Sequence, residues 1–421
     1  MNKKLIAAAL GLAFAGVAQA QSQSNVVLYG IVDGGLRFDR TQAGTLSSVV
    51  GGGASGSRLG VRGTEDLGSG MKANFVLEQG VDISDNSVPQ GDVGSGNTAT
   101  TPRTSTGGRF FSRVATVGLS GVFGNLRFGR DYSPYYNAWS AADPFGAGTV
   151  GTLTNISAGN ITRFDNGIFY DLPSELIGGI KGSLALRLGE SSTSNSAAVA
   201  VPAGTGATGT CTVTGVPTAT TCATAAPGTV AGVNKNGGNA ISLSLGYANG
   251  PVYAAYGFNN VKGSLDNGRT RSHTLAATYD FGVVKAHGLW WSSKDNIPTA
   301  PPAVQSDTRS WALGLSAPFA GANLMAAYGR LDDRSANDFD ARFASFGGTY
   351  SITRRTDFYG AVSRMTNRNG AHYLISDASN AGLQTSVGAS SAVPVAPALF
   401  TGNVGAGYSP TALQVGVRHR F

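Results

Sequence analysis

From Val26 onward, apolar and polar residues alternate with a period of two, in short windows, instead of recurring at helical spacing. Leu184, Leu186 and Leu188 alternate with Ser183, Ala185 and Arg187. Ile241, Leu243, Leu245 and Tyr247 alternate with Ser242, Ser244 and Gly246, and Trp311, Leu313, Leu315 and Phe319 with Ser310, Ala312, Gly314 and Ser316. Such windows predict strands with one apolar and one polar face. In chain order they are Val26–Phe38, Arg58–Leu67, Lys72–Val81, Arg109–Ser120, Leu126–Ser133, Thr162–Leu172, Lys181–Leu188 and Ala240–Ala248. Then come Val252–Val261, Arg271–Phe281, Val284–Ser292, Thr308–Phe319, Leu324–Leu331, Arg342–Ile352, Phe358–Met365 and Leu413–Phe421, which makes 16.

The connections sort by parity. A Gly/Ser-rich stretch of about 18 residues follows Phe38, whereas "GSG" follows Leu67 and "GVFG" follows Ser120. Long and short continue to alternate to the end. A soluble sandwich has no reason to order its turns this way. An antiparallel barrel across a membrane does, with turns on one rim and loops on the other. An even count brings both termini to one rim, so the first and last strands can pair. Lipid makes that closure necessary, because each unpaired backbone group there costs several kcal/mol. Aromatics near strand ends, Phe169, Tyr170, Tyr247, Tyr279 and Phe281, are placed as an interfacial girdle. The fold class is all-β, a 16-stranded antiparallel transmembrane barrel.

Composition agrees: 61 glycines, 14 tyrosines, 19 phenylalanines and 13% charged residues, with no later apolar run of 18. Lys3 and Lys4, the apolar stretch Leu5–Val17 and Ala18-Gln19-Ala20 read as a secretory signal peptide, residues 1–20, leaving 21–421 as the barrel. Without Lys3 and Lys4 the net charge falls from +7 to about +5, too modest for a nucleic-acid partner. Cys211 and Cys222, in an exported chain, are read as a local loop disulfide. His273, His287, His372 and His419 lie apart without motif spacing, and "GLSG" leads to a hairpin instead of a helix, so no enzyme, metal or cofactor site is expected.

The stretches "NVVLYGIVDGGL", "SRLGVRGTEDLGSGMKANFVLEQG", "VGLSGVFGNLRFGRDYSP" and "VGVRHRF" resemble the Gram-negative general porins of β-proteobacterial type, from Asn25 to Phe421. The resemblance implies a homotrimer in the cell outer membrane, surrounded by its lipids and lipopolysaccharide. Each barrel would pass small hydrophilic solutes. It also implies that terminal Phe421 is read by the outer-membrane assembly machinery. The third long loop, after "GRDYSP", should fold inward. Asp143, the only carboxylate between Asp131 and Asp165, would then face Arg58, Arg113 and Arg163 across a constriction that favours anions.

Arg58 and Arg163 fit an inward facing if Leu59 and Phe164 point outward. Arg113 is kept inward although strict alternation with Val117 and Leu119 puts it outside. Arg62 and Glu78 are expected to line the lumen. Gly30, Gly34 and Gly63 are placed outward, where neighbouring barrels could approach. The alternative reading is a closed barrel acting as adhesin or receptor through loops 190–238 and 367–410.

Overall fold

A computed structural model gives the chain's structure and describes residues 25–42, 44–81, 83–84, 110–157, 162–173, 178–189, 238–262, 268–296, 306–378 and 407–421. Residues 1–20, expected above to be a signal peptide, and Cys211 and Cys222 lie outside the described residues.

Among the described residues, seventeen strand segments form one closed antiparallel sheet. They are β1 Asn25–Thr41, β2 Gly44–Gly51, β3 Arg58–Gly68, β4 Met71–Gly80, β5 Val114–Gly121, β6 Gly124–Tyr132, β7 Arg163–Asp171, β8 Ile180–Arg187 and β9 Ala240–Asn249. The second half comprises β10 Val252–Lys262, β11 Arg269–Asp280, β12 Lys285–Asn296, β13 Asp307–Phe319, β14 Ala322–Asp333, β15 Ala341–Ser351, β16 Thr356–Asn367 and β17 Thr411–Arg420. Both β2 and β3 pair with β1, β2 along residues 34–41 and β3 along 25–31. They are two halves of one wall position, so the barrel is 16-stranded.

That interruption corrects the sequence reading. The supposed 18-residue loop after Phe38 is the rest of β1, a tight turn, the strand β2, and a break at residues 52–57. "GTLSSVVGGGASGS" has the composition of a linker, yet its backbone continues the ladder. Asp33 holds the break in shape. Its Oδ2 accepts the Ala54 and Ser55 amides at 3.1 and 2.7 Å, and its own amide donates to Ser57 Oγ at 2.9 Å.

Closure runs through β1 and β17, in register from Ile31 opposite Arg420 to Arg40 opposite Thr411. Beyond the ladder, Gly30 and Phe421 exchange backbone hydrogen bonds, each 3.1 Å. Outward side chains are apolar: Val26, Leu28, Val117 and Leu313 are all more than 60% exposed, as a lipid-facing wall requires. Inward positions opposite them are small or polar, such as Ser310 and Ala312. Tyr247, Tyr279 and Phe281 are exposed at strand ends, as expected of a girdle, but Phe169 is buried inside.

The outward glycines serve this chain's own side chains. A Cβ on Gly30 would lie 2.3 Å from the Phe421 ring, one on Gly63 2.3 Å from Phe75, and one on Gly34 2.6 Å from Ile83. These positions are therefore slots already filled from within the barrel, which corrects their reading as free contact surface.

The Phe421 slot is testable. Gly30→Leu should displace the terminal ring and lower stability by about 1–3 kcal/mol, the usual range for overpacking. Gly178→Ala, where a Cβ meets open space, should be neutral. The fraction of heat-modifiable barrel on unboiled gels measures both. Equal folding of the two variants would mean that the slot contributes nothing to closure.

Candidate pore constriction

Between β6 and β7 the chain turns into the lumen. Ser133 Oγ accepts from the Tyr136 amide at 3.2 Å and Pro134 occupies the first turn, which starts the helix α1, Pro134–Ser140. Seven residues are too few for helical periodicity to register in sequence, although the Ser-Pro pair is a start signal. A 3-10 turn, Leu153–Ile156, follows.

This segment lines the wall opposite β3–β7. Tyr135 N donates to Ser242 Oγ at 3.0 Å, Tyr253 OH to the Ala138 carbonyl at 2.7 Å, and Val150 N to Gln414 Oε1 at 3.0 Å. Thr149 N reaches the Gly53 carbonyl at 2.6 Å, so the loop tip docks on the break between β2 and β3. Tyr135, Trp139, Phe145, Leu153 and Ile156 pack against inward Leu289, Trp291, Phe343 and Met365. Gly329 makes room for Ile156, whose Cδ1 would sit 2.3 Å from a Cβ there.

Facing the loop, three arginines converge. Arg113 Nε donates to Glu78 Oε1 at 2.7 Å and its Nη2 to Tyr132 OH at 2.8 Å. Arg163 also donates to Tyr132 OH and lies 4.1 Å from that ring's centroid. Arg58 Nη1 is 3.7 Å from Glu78 Oε1, and its Nε bonds the Gly56 carbonyl at 2.8 Å. Tyr29 OH donates to Glu78 Oε2 at 3.1 Å, and Arg62 stacks over Tyr29 with its Cζ 5.4 Å from the ring centroid. Arg58, Arg113, Arg163, Arg62 and Glu78 thus stand together. Glu78 meets two of the three guanidiniums, those of Arg58 and Arg113, and among the described residues Arg163 makes no ion pair.

Arg113 faces inward because β5 begins only at Val114; the bend at Ser112–Arg113 breaks the alternation, and Arg113 N bonds the Glu78 carbonyl at 3.1 Å. The argument for Arg163 fares differently. Phe164 was expected outward but is fully buried with Phe169, Ala185 and Ala240. The β6–β7 register shifts between Gly129 and Asp131, and Asn166 adopts φ 47°, so parity does not carry through this stretch.

Asp143 is not brought to the arginines. Its carboxylate accepts from Phe145 N at 3.0 Å, Ala147 N at 3.1 Å, Thr152 Oγ1 at 2.7 Å and Leu153 N at 3.1 Å. Burial pushes it up to about 6, against the pull of those four donors. Geometry makes it the clamp of its own loop. The residue that sequence reasoning passed over is Tyr132, visible in "GRDYSP". Its hydroxyl accepts from two arginines, and its ring stacks on Tyr136 at 5.2 Å. Tyr136 then meets Trp139 at 5.1 Å, and Trp139 meets Trp291 at 5.9 Å, an aromatic line from the cluster to the far wall.

Comparison with known proteins agrees over nearly the whole chain. A Gram-negative porin family profile matches residues 6–370. Outer membrane porin protein 32 of Delftia acidovorans is 32% identical over 434 residues, covering 100% of both chains. An outer membrane porin protein of Bordetella pertussis is 30% identical, covering 87% of this chain and 95% of its own. Among solved structures, an anion-selective porin from Comamonas acidovorans superposes with a TM-score of 0.67 at 28% identity, covering 95% of this chain and 100% of that one.

Removing the clamp should loosen the loop. Asp143→Ala leaves three backbone amides without their acceptor, at about 1–3 kcal/mol each if they stay buried. Single-channel recordings should show noisier current and altered mean conductance, with little change in reversal potential. A quiet channel with a large shift towards anions would instead mean that Asp143 faces the ion path.

Proposed function

The chain belongs to the Gram-negative porin family, and on that premise we propose that its pore prefers anions, with Arg58, Arg113 and Arg163 forming the positive side of the constriction. The chain itself is a passive diffusion channel for small hydrophilic solutes in the outer membrane. The observation that carries the preference is the charge imbalance. Arg113 and Arg163 converge on Tyr132, Glu78 pairs with Arg113 and Arg58, and Asp143 is occupied within its loop, so Arg163 is left without an ion pair among the described residues. In a narrow lumen with low-dielectric walls such an excess raises the local anion concentration. The anion selectivity of the Comamonas porin is in keeping with this.

The remaining expectations belong to the same reading. Residues 1–20 would be removed at Ala20. Cys211 and Cys222 would close a surface loop. Phe421 would be read by the assembly machinery before it fills the Gly30 slot. The barrel would assemble as a trimer through the wall of its first strands, whose outward side chains Val26, Leu28 and Leu59 are apolar and exposed. A native gel should then give a high-mass species that collapses on boiling; a monomer alone, at any protein concentration, would count against the trimer.

Selectivity is tested at the arginines. A charge about 4 Å from the ion path is worth about 1 kcal/mol in water. Replacing Arg58 and Arg163 together with Ser removes about 2 kcal/mol and should therefore lower the anion-to-cation permeability ratio about thirtyfold at low salt. Zero-current potentials in a salt gradient read this, with the effect shrinking at high ionic strength. An unchanged potential at low salt would remove these residues from the constriction.

A further inference from the structure

A second stretch of chain enters the lumen. Residues 371–378, which follow β16, carry Ile375 into the same apolar cluster as Leu153 and Ile156 of the constriction loop. Among the described residues the two lumenal segments meet at three points. Ser376 donates to Asn155 Oδ1 from its amide at 2.7 Å and from its hydroxyl at 3.0 Å, and Asn155 Nδ2 donates back to the Ser376 carbonyl at 3.3 Å. The Gly53 carbonyl accepts from Thr149 N at 2.6 Å and from Ala378 N at 3.4 Å, so one acceptor in the break serves both segments. The third point is Gln414. Its Oε1 accepts from Val150 N at 3.0 Å, while its Nε2 donates to Asp377 Oδ2 at 2.9 Å.

Asp377 sits where the barrel closes. Arg37 of β1 and Gln414 of β17 are cross-strand partners in the seam. The Asp377 Oδ2 that accepts from Gln414 also accepts from Arg37 Nη1 at 3.1 Å, so one carboxylate oxygen bridges both strands. Arg37 is held in turn by Asp39, through Nε at 2.8 Å and Nη2 at 2.9 Å, and its Nη2 also donates to the Ile375 carbonyl at 2.6 Å. A Cβ on Gly53 would lie 2.3 Å from Gln414 Nε2, so this glycine lets the break approach the link. Asp377 and Gln414 are wholly buried, and an acid so enclosed does not face the ion path. Two acids and one guanidinium taken out of water are a poor source of stability, because desolvation offsets their attraction. What they supply is a fixed arrangement, since displacing any one of them leaves a buried charge unpaired.

We propose that Asp377 is a positioning residue of the pore. It staples Arg37 to Gln414 across the seam and, through Gln414, fixes the Val150 end of the constriction loop. Asp143 holds that loop to itself, whereas Asp377 holds it to the wall. The last long segment before β17 thereby sets the course of the loop that narrows the lumen, and the two move as one body. This role concerns the width of the channel and does not depend on the pore's ion preference.

Single-channel recording of the full-length barrel in planar bilayers tests it. Losing a hydrogen bond to a buried charge should raise the time spent away from the parent's main conductance level about tenfold in Asp377→Ala. Asp377 lies outside every strand, so the ladder stays whole, and heat-modifiable migration as in the parent establishes that the barrel is intact. Asp377→Asn keeps the shape and an acceptor oxygen for Gln414 and should show a smaller rise; it carries the comparison by itself if Asp377→Ala barrels do not form. Gln414→Leu breaks the same link without removing a charge. It should reproduce the effect, and combining it with Asp377→Ala should add nothing. Parent-like occupancy of the main level in the Asp377 variants overturns the proposal. Additive effects of Asp377→Ala and Gln414→Leu overturn the route through Gln414. A reversal potential shifted towards anions with the conductance levels unchanged overturns it too, because Asp377 would then act as a charge in the ion path.

Discussion

Lipid offers no hydrogen-bond partner, and the rest of this structure follows from that absence. A sheet in a bilayer must close, so β1 has to meet β17 along its outer half and β2 and β3 on its other edge. The last residue then becomes structural. Phe421 continues the ladder past β17 by exchanging backbone bonds with Gly30, and its ring occupies the space that a side chain on Gly30 would take. Phe421 thus adds one more backbone pair and a plug to the seam.

The same accounting applies inside. A loop led through the lumen brings its own amides and carbonyls, and each needs a partner from the wall or from the loop. Asp143 collects three amides and a hydroxyl within the loop. Gln414 accepts from Val150, and the break at 52–57 exposes the Gly53 carbonyl to Thr149. An unbroken second strand would have spent that carbonyl on its neighbour. The irregularity in the sheet is thus a docking point for the element that narrows the lumen, and Asp33 fixes its shape from the adjacent strand.

Much of this was legible in the sequence because lipid enforces a simple rule on one face of every strand. Leu313 and Leu315 outside, Ser310 and Ala312 inside, follow directly from alternation. Legibility fails where that rule is locally suspended. The strand β2 was lost because glycine and serine look like a linker when the ladder, and not the side chains, holds them. Phe164 and Phe169 were misassigned because a shifted register sends both inward. The inward aromatic and aliphatic residues on β11–β16 blur the contrast further, since the loop gives them an apolar partner inside the lumen. Asp143 was identified as the loop's significant acid, but composition cannot tell an acid aimed across water from one aimed at its own backbone.

The arginine cluster shows why position and charge are set together. Arg113 is almost fully buried, and a guanidinium so placed without a carboxylate would cost several kcal/mol. Glu78 meets that need and leaves Arg58 and Arg163 only partly compensated. Tyr132 joins Arg113 to Arg163 through one hydroxyl, and its ring passes the contact to Tyr136, Trp139 and finally Trp291. The residues that hold the positive side in place therefore also hold the loop that faces it. A change in the loop's course would move Tyr136 against Tyr132 and disturb both arginines bonded there. Width and field at the narrow zone are for that reason one structural variable, fixed by a single chain of contacts across the barrel.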